Sequence, residues 1–228
     1  MAVVRFRPSL SLREASAFLR ATIPNKGQDL VSTFERRFSE EMIDGRRAIL
    51  APSGRVALYW ILRGMHMAPR DEVVTQSFNF TAVPAAIQAA GATPRFVDLQ
   101  PDGFNLDPDQ LLAVLGPRTR AVVLTHLFGN PGDLDRVGEL CRARGVALVE
   151  DCGQGVGASW HGRPVGTFGV AALYTFGATK NFTLLGGGAA TTSDSTLARR
   201  MEELAARHPA MGLNKCLKLA AVASGITL

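Results

Sequence analysis

Only four of the 25 basic side chains in this 228-residue sequence are lysines, and one of the four stands apart. Lys26, Lys215 and Lys218 lie in polar or terminal surroundings, whereas Lys180 falls between AALYTFGAT and NFTLLGGGAATT, two apolar segments that read as buried strands. A lysine so placed either runs its stem out to water or is held for chemistry. In the second case, desolvation gives the amine the lowered basicity that Schiff-base formation requires. Asp151 closes the run VALVE and opens a glycine-rich turn. It reads either as the N-cap of the segment that follows or as a carboxylate facing a protonated pyridine nitrogen.

An amine and a carboxylate on successive strand ends together match what pyridoxal 5'-phosphate needs. Two further residues fit the same molecule. Ser53-Gly54 at a helix start offers free backbone N–H groups and the positive end of a helix dipole, suited to a phosphate, as any capped helix would. Phe80, just past a strand end, is placed either to lie flat on a pyridine ring or simply to fill core.

The elements that must position these residues alternate between short apolar runs and amphipathic stretches, the pattern of strand and helix taking turns. Helices are predicted over Ser53–Met65, Thr81–Ala90, Pro108–Leu115 and Leu134–Arg144, and strands over Glu72–Gln76, Pro94–Val97, Ala121–Thr125 and Val146–Val149. Runs such as AVVLT and VALV have no polar face, so the sheet is covered on both sides. The expectation is an α/β domain, a mostly parallel sheet with helices on both faces. In such sheets ligands sit beyond the carboxyl ends of the strands. That edge would gather Ser53, Gly54 and Arg55, then Ser77 to Phe80, His126 to Gly129, Glu150 to Gln154, and Lys180.

In that order, SGRVALYWILRGM, DEVVTQSFNFTAVPAAIQAAGATPRFVDL, THLFGNPGDLDRV, VEDCGQGVGASWHGRPVGTFG and YTFGATKN resemble the DegT/DnrJ/EryC1/StrS family of pyridoxal-phosphate-dependent sugar aminotransferases, over about residues 27–206. The resemblance implies the aspartate-aminotransferase type of large domain. It makes Lys180 the Schiff-base lysine, Asp151 the partner of the pyridine nitrogen and Gln154 the amide beside the cofactor's 3-oxygen. Phe80 becomes the stacking aromatic, and Ser53, Gly54, Arg55 and Thr175 the phosphate-binding groups. It further implies a ping-pong transfer from an amino-acid donor, glutamate, to a nucleotide-linked keto-sugar, by a cytoplasmic homodimer. Two departures stand beside the matches: Arg55 occupies a position where the family commonly has threonine, and Gly177-Ala178 replaces a His-Pro or similar pair. The family also continues into a smaller C-terminal domain, which is expected to lie outside these 228 residues. The expected organisation is therefore an N-terminal arm or helix over 1–26, the cofactor domain over 27–206, and the start of a connecting helix over 207–228. Its apolar face there would make the isolated chain associate.

Other chemistries fail on residue grounds. Gly153, Gly155 and Gly157 follow a strand as in a dinucleotide fingerprint, but no acidic residue follows at about 20 positions. There is no Gly-Lys-Ser or Gly-Lys-Thr for a P-loop and no GxSxG elbow. Cys141, Cys152 and Cys216 form no CxxC pair and the four histidines no HxxxH pair, which excludes a disulfide scaffold and a structural zinc. The net charge of +5 comes from scattered arginines with no basic, aromatic-interleaved stripe, so nucleic acid is not expected as a partner. No apolar run reaches membrane-spanning length, and Arg5, Arg7 and Arg13 interrupt any secretory signal. Two alternatives remain: a truncated or catalytically inactive cofactor-binding or regulatory relative, which would have no need of Lys180 if it only bound, and a sugar dehydratase, in which histidine typically replaces the lysine.

Overall fold

The computed structural model describes residues 26–177, 179–184 and 186–208. The expected arm over 1–26 (apart from Lys26), Ala178 and the expected connecting helix beyond His208 lie outside the described residues. In chain order the elements are α1 (Lys26–Met42), β1 (Arg47–Ala51), α2 (Gly54–Gly64), β2 (Glu72–Gln76), α3 (Ala82–Ala89), β3 (Thr93–Val97), α4 (Pro108–Val114), β4 (Thr119–Thr125), α5 (Leu134–Ala143) and β5 (Ala147–Asp151). A small hairpin, β6 (Ser159–Trp160) and β7 (Arg163–Pro164), precedes β8 (Ala171–Thr175), β9 (Gly188–Thr192) and α6 (Ser195–Ala206).

Seven strands form one sheet in the order β1-β9-β8-β5-β4-β2-β3. From β3 to β8 all neighbours are parallel, and β9 runs antiparallel to both β8 and β1. Strand periodicity sorts the core into two layers. Val73, Val123, Val149 and Leu173 pack with α2, α3 and α6 residues such as Leu58, Ile61, Ile87 and Met201. Val74, Leu124, Leu148 and Tyr174 face the opposite way, onto Phe38 of α1 and Val137 of α5. All five residues of β2 are buried, which only a sheet covered on both faces allows. Among the described residues no helix is long and apolar enough to cross a membrane.

Two sequence expectations need correction. The segment NFTLLGGGAATT is not strand throughout, because β8 ends at Thr175 and β9 begins only at Gly188. Its apolar character has another cause: Phe176 and Phe182 meet edge to face at 5.7 Å and pack against Phe34 and Phe38 of α1. This aromatic cluster anchors the loop that carries Lys180. Strand β5 also runs two residues further than expected and includes Asp151, and no helix follows, so the N-cap reading of Asp151 falls.

The start of α2 is pressed onto the sheet. A Cβ on Gly188 would lie 2.5 Å from the Tyr174 carbonyl oxygen and 2.6 Å from the Gly54 nitrogen, both backbone atoms that cannot step aside. Gly188→Ala is therefore expected to lower unfolding stability by about 3 kcal/mol, the scale of overpacking in a rigid setting. Chemical denaturation measures it, and a loss below about 0.5 kcal/mol would mean that α2 can lift off the sheet at little cost.

Candidate active site

A cavity of about 340 Å³ opens at the carboxyl edge of the sheet, between the start of α2 and the ends of β4, β5 and β8. All eight residues singled out from the sequence line it: Ser53, Gly54, Arg55, Phe80, Asp151, Gln154, Thr175 and Lys180. On one side stands the first turn of α2. The Ser53 hydroxyl caps it by accepting from the Val56 N–H at 3.3 Å. The Gly54 and Arg55 N–H groups belong to the first turn and have no intrahelical acceptor. Thr175 lies against Gly54 and donates its hydroxyl to the Gly153 carbonyl at 3.0 Å.

On the floor is Asp151, 7% exposed. Its Oδ1 accepts from the Gly153 N–H at 2.9 Å and its Oδ2 from the Thr125 hydroxyl at 3.3 Å. Burial pushes this carboxyl above its usual range, against those two donors, the neighbouring His126 ring and the nearby charge of Lys180. Among the described residues no cation forms an ion pair with it. Lys180 is half-buried and sits with Gln154 on the wall shared with a second opening beside Phe128. The Gln154 Oε1 accepts from the Phe128 N–H at 2.9 Å, so its amide nitrogen is left to donate. Phe80 is 68% exposed, a ring at the cavity rim without a partner face in the core.

Behind the floor, the neighbouring carboxylate has the opposite fate. Glu150 is fully buried; its Oε1 accepts from the N–H groups of Phe168 and Gly169 at 2.7 Å each, and its Oε2 from Gly166 at 2.6 Å. His126 completes the set at 3.1 Å, and because its Nδ1 accepts from the Gly132 N–H, its Nε2 is the donor. Burial alone would raise the Glu150 carboxyl, but His126 and the backbone donors outweigh it and hold it below its usual value. His126, Glu150 and Cys152 bring three metal-ligating atoms within 4.8 Å, yet both carboxylate oxygens are already committed to N–H donors. Burial pushes the Cys141 thiol up to about 12 and that of Cys152 well above its usual range, so neither is a nucleophile.

Asn79 and Thr125 also line the cavity and were given no role from the sequence. Their positions just after β2 and at the end of β4 were the available signal, since strand carboxyl ends supply ligand-site residues in such sheets.

Comparison with known proteins gives the same direction. The sequence profile of the DegT/DnrJ/EryC1/StrS aminotransferase family matches residues 11–215. The L-glutamine:2-deoxy-scyllo-inosose aminotransferase of Streptomyces kanamyceticus is 37% identical over 179 residues, 77% of this chain and 42% of that protein. The pleiotropic regulatory protein of Geobacillus stearothermophilus is 38% identical over 149 residues, 65% of this chain and 40% of that one. The crystal structure of DesI in the presence of its TDP-sugar product superposes with a TM-score of 0.80 at 32% identity, over 89% of this chain and 52% of that one. The chain thus spans less than half the length of the two curated relatives.

The Glu150 arrangement makes a stability prediction with a definite sign. A carboxyl held below its ordinary value of 4.5 adds stability above that pH, and the contribution is lost as pH falls through the folded value. Glu150→Gln should lower unfolding stability at pH 7 by about 3 kcal/mol, as for a buried ion stripped of its charge. The gap to wild type should narrow as pH drops from 7 towards 3. Denaturant titrations across that range decide the point, and a gap independent of pH would show that the Glu150 charge contributes nothing.

Proposed function

The chain belongs to the DegT/DnrJ/EryC1/StrS aminotransferase family, and from that premise we propose that it binds pyridoxal 5'-phosphate and moves an amino group from an amino acid, glutamate, to a nucleotide-linked keto-sugar. The observation that carries this reading is the convergence of Lys180, Asp151 and the α2 N-terminus on one cavity. The donor set fits the cofactor. A buried carboxylate without an ion-pair partner among the described residues suits a protonated ring nitrogen, and a helix start whose first N–H groups have no intrahelical acceptor suits a phosphate.

Bound there, pyridoxal phosphate supplies an electrophilic carbon and an electron-withdrawing ring that stabilises negative charge on the amino acid's Cα. Asp151 keeps the proton on the ring nitrogen. Ser53, Gly54, Arg55 and Thr175 hold the phosphate, Arg55 adding a full positive charge to the backbone and hydroxyl donors, and Thr175 turning its proton from the Gly153 carbonyl to the phosphate. The Gln154 amide nitrogen donates to the 3-oxygen, and Phe80 covers one ring face. The Lys180 amine carries the cofactor and, once released, takes the proton from the substrate's Cα as general base. The nucleotide-sugar acceptor is supported by the TDP-sugar product of DesI. A homodimer completes the proposal. Phe104 and Phe128, each more than half exposed and in edge contact at 5.0 Å, are apolar surface beside the site that a second copy would cover. A cytoplasmic setting goes with the nucleotide-sugar acceptor.

A second reading, a regulator that binds the cofactor without turnover, is favoured by the likeness to the pleiotropic regulatory protein. One set of measurements separates the two. After reconstitution with pyridoxal phosphate and borohydride reduction, peptide mapping should place the covalent adduct on Lys180, and Lys180→Ala should lose it. With glutamate, the wild type should convert the cofactor to its amine form, and Asp151→Asn should slow that conversion by at least about a hundredfold. An adduct on another lysine overturns the site. An adduct on Lys180 with no conversion by glutamate, glutamine or alanine supports the regulator instead.

A further inference from the structure

Four groups form a continuous hydrogen-bonded line across the cavity floor. The Phe80 N–H donates to the Asn79 Oδ1 at 2.7 Å. A backbone N–H can only donate, so this contact fixes the orientation of the Asn79 amide and sends its nitrogen the other way. That nitrogen reaches the Thr125 hydroxyl at 2.8 Å and the Thr75 hydroxyl at 3.2 Å. Thr75 spends its own proton on the Val123 carbonyl at 3.0 Å. The Thr125 oxygen, already accepting from Asn79, has one proton left, and the acceptor within reach is the Asp151 Oδ2 at 3.3 Å. Every donor and acceptor in the line therefore has a single possible direction.

We propose that Asn79 and Thr125 are positioning residues that lock the Phe80 ring segment to the Asp151 carboxylate, with the Thr125 hydroxyl keeping that carboxylate ionised and in place on the cavity floor. The inference rests on the reading of Phe80 and Asp151 as the groups that cover and face the cofactor ring. It goes further by making their relative placement one mechanical unit. Residues 79 and 80 follow β2, Thr125 ends β4 and Asp151 ends β5, so the line crosses three adjacent parallel strands. Phe80 itself is largely exposed and has little packing to hold it; the N–H contact to Asn79 supplies the restraint that packing does not. The ionisable groups around Asp151 are His126 beyond β4, Lys180 beyond β8 and Cys152 next in the chain. None of the three substitutes for the Thr125 donor, since no hydrogen bond from their side chains to the carboxylate occurs.

The test compares Thr125→Val, Thr125→Ser and Asn79→Leu, each with Asp151 and with Asp151→Asn. In the cofactor-free protein, a carboxyl raised by burial costs stability as pH climbs through its folded value, and loss of the Thr125 donor raises it further. Thr125→Val should therefore melt progressively lower than wild type as pH rises from 4 to 8. Thr125→Ser should follow the wild type, and the pH-dependent part of the gap should vanish in the Asp151→Asn background. In the loaded protein, Thr125→Val should weaken pyridoxal-phosphate binding by about tenfold with Asp151 present, the scale of a hydrogen bond to a charged group, and much less with Asp151→Asn. Asn79→Leu should weaken binding in the same way and lose the coupling to Phe80, so that Phe80→Ala adds less on top of it than alone. A melting gap that is flat with pH, or that survives in Asp151→Asn, overturns the proposal. If the wild type binds no pyridoxal phosphate, the cofactor reading falls, and the cofactor-free melting curves still decide whether Thr125 holds Asp151.

Discussion

The rest of the site depends on one buried charge. Glu150 sits at 0% exposure in the layer between the sheet and the α1 side, and its two oxygens collect three backbone N–H groups from Gly166, Phe168 and Gly169 as well as the ring of His126. A carboxylate can be kept ionised away from water only if donors of this number surround it. The same loop is pulled from its other polarity by Arg46, which donates to the carbonyls of Thr167 at 2.5 Å and Gly169 at 2.8 Å. Anion on the N–H side and cation on the C=O side fix the backbone of 166–169 as a rigid return into β8. Since β8 leads into the Lys180 loop, this clamp sets where the lysine begins.

Strand periodicity then explains how two adjacent carboxylates come to do opposite things. Successive side chains of β5 point to opposite faces, so Leu148 and Glu150 belong to the α1 side while Val149 and Asp151 belong to the α2 side. The same alternation sends His126 down to Glu150 and Thr125 up to Asp151. One neighbour is over-supplied with donors and driven below its usual value; the other has two donors and is driven up. Pairs of titratable groups whose surroundings push them apart are the mark of a division of labour. Here the division is between a carboxylate that holds the scaffold and one that is left with unspent capacity at the cavity.

What could be read in the sequence follows from the same periodicity. EVVTQ was legible to the residue because its β-branched centre, Val73 to Thr75, lies between the turn residues of PRD and SFN, and SGRVALYWILRGM was legible because a capping serine precedes a helical stripe. The strand-end rule named most of the segments that meet at the cavity; it missed Gly186 and Gly187, which line it from the amino end of the antiparallel strand β9. The rule does not say which side chains bond to which, because a period of two gives the face of a residue and not its partner across the sheet. Thr125 and Glu150 looked like ordinary residues after apolar runs for that reason. The stretch after Thr175 misled because Phe176, Phe182 and the glycines imitate a buried strand, while their apolar character serves an aromatic cluster with α1 that only the distant helix explains. The particular roles of Gln154 and Thr175 came from family resemblance, and no spacing argument would have found them.

The unspent capacity of Asp151 has a consequence for how the site and the fold are linked. A buried carboxylate raised above its usual range makes the ionised form costly while no cation among the described residues pairs directly with it. Any cationic group that enters and lies against it removes part of that cost, and by linkage the binding free energy includes the relief. The α2 terminus supplies the complementary half, a region of positive potential that favours an anion. A molecule with a cationic ring nitrogen at one end and a phosphate at the other would relieve both at once, and one with only a single charge would relieve half. Because α2 packs backbone to backbone on Gly188 and β5 is clamped through Glu150, the separation between the two charges is set by backbone contacts and not by flexible side chains. Selectivity for a doubly charged, rigid ligand is then a property of the sheet edge itself, before any residue that touches the second substrate is considered.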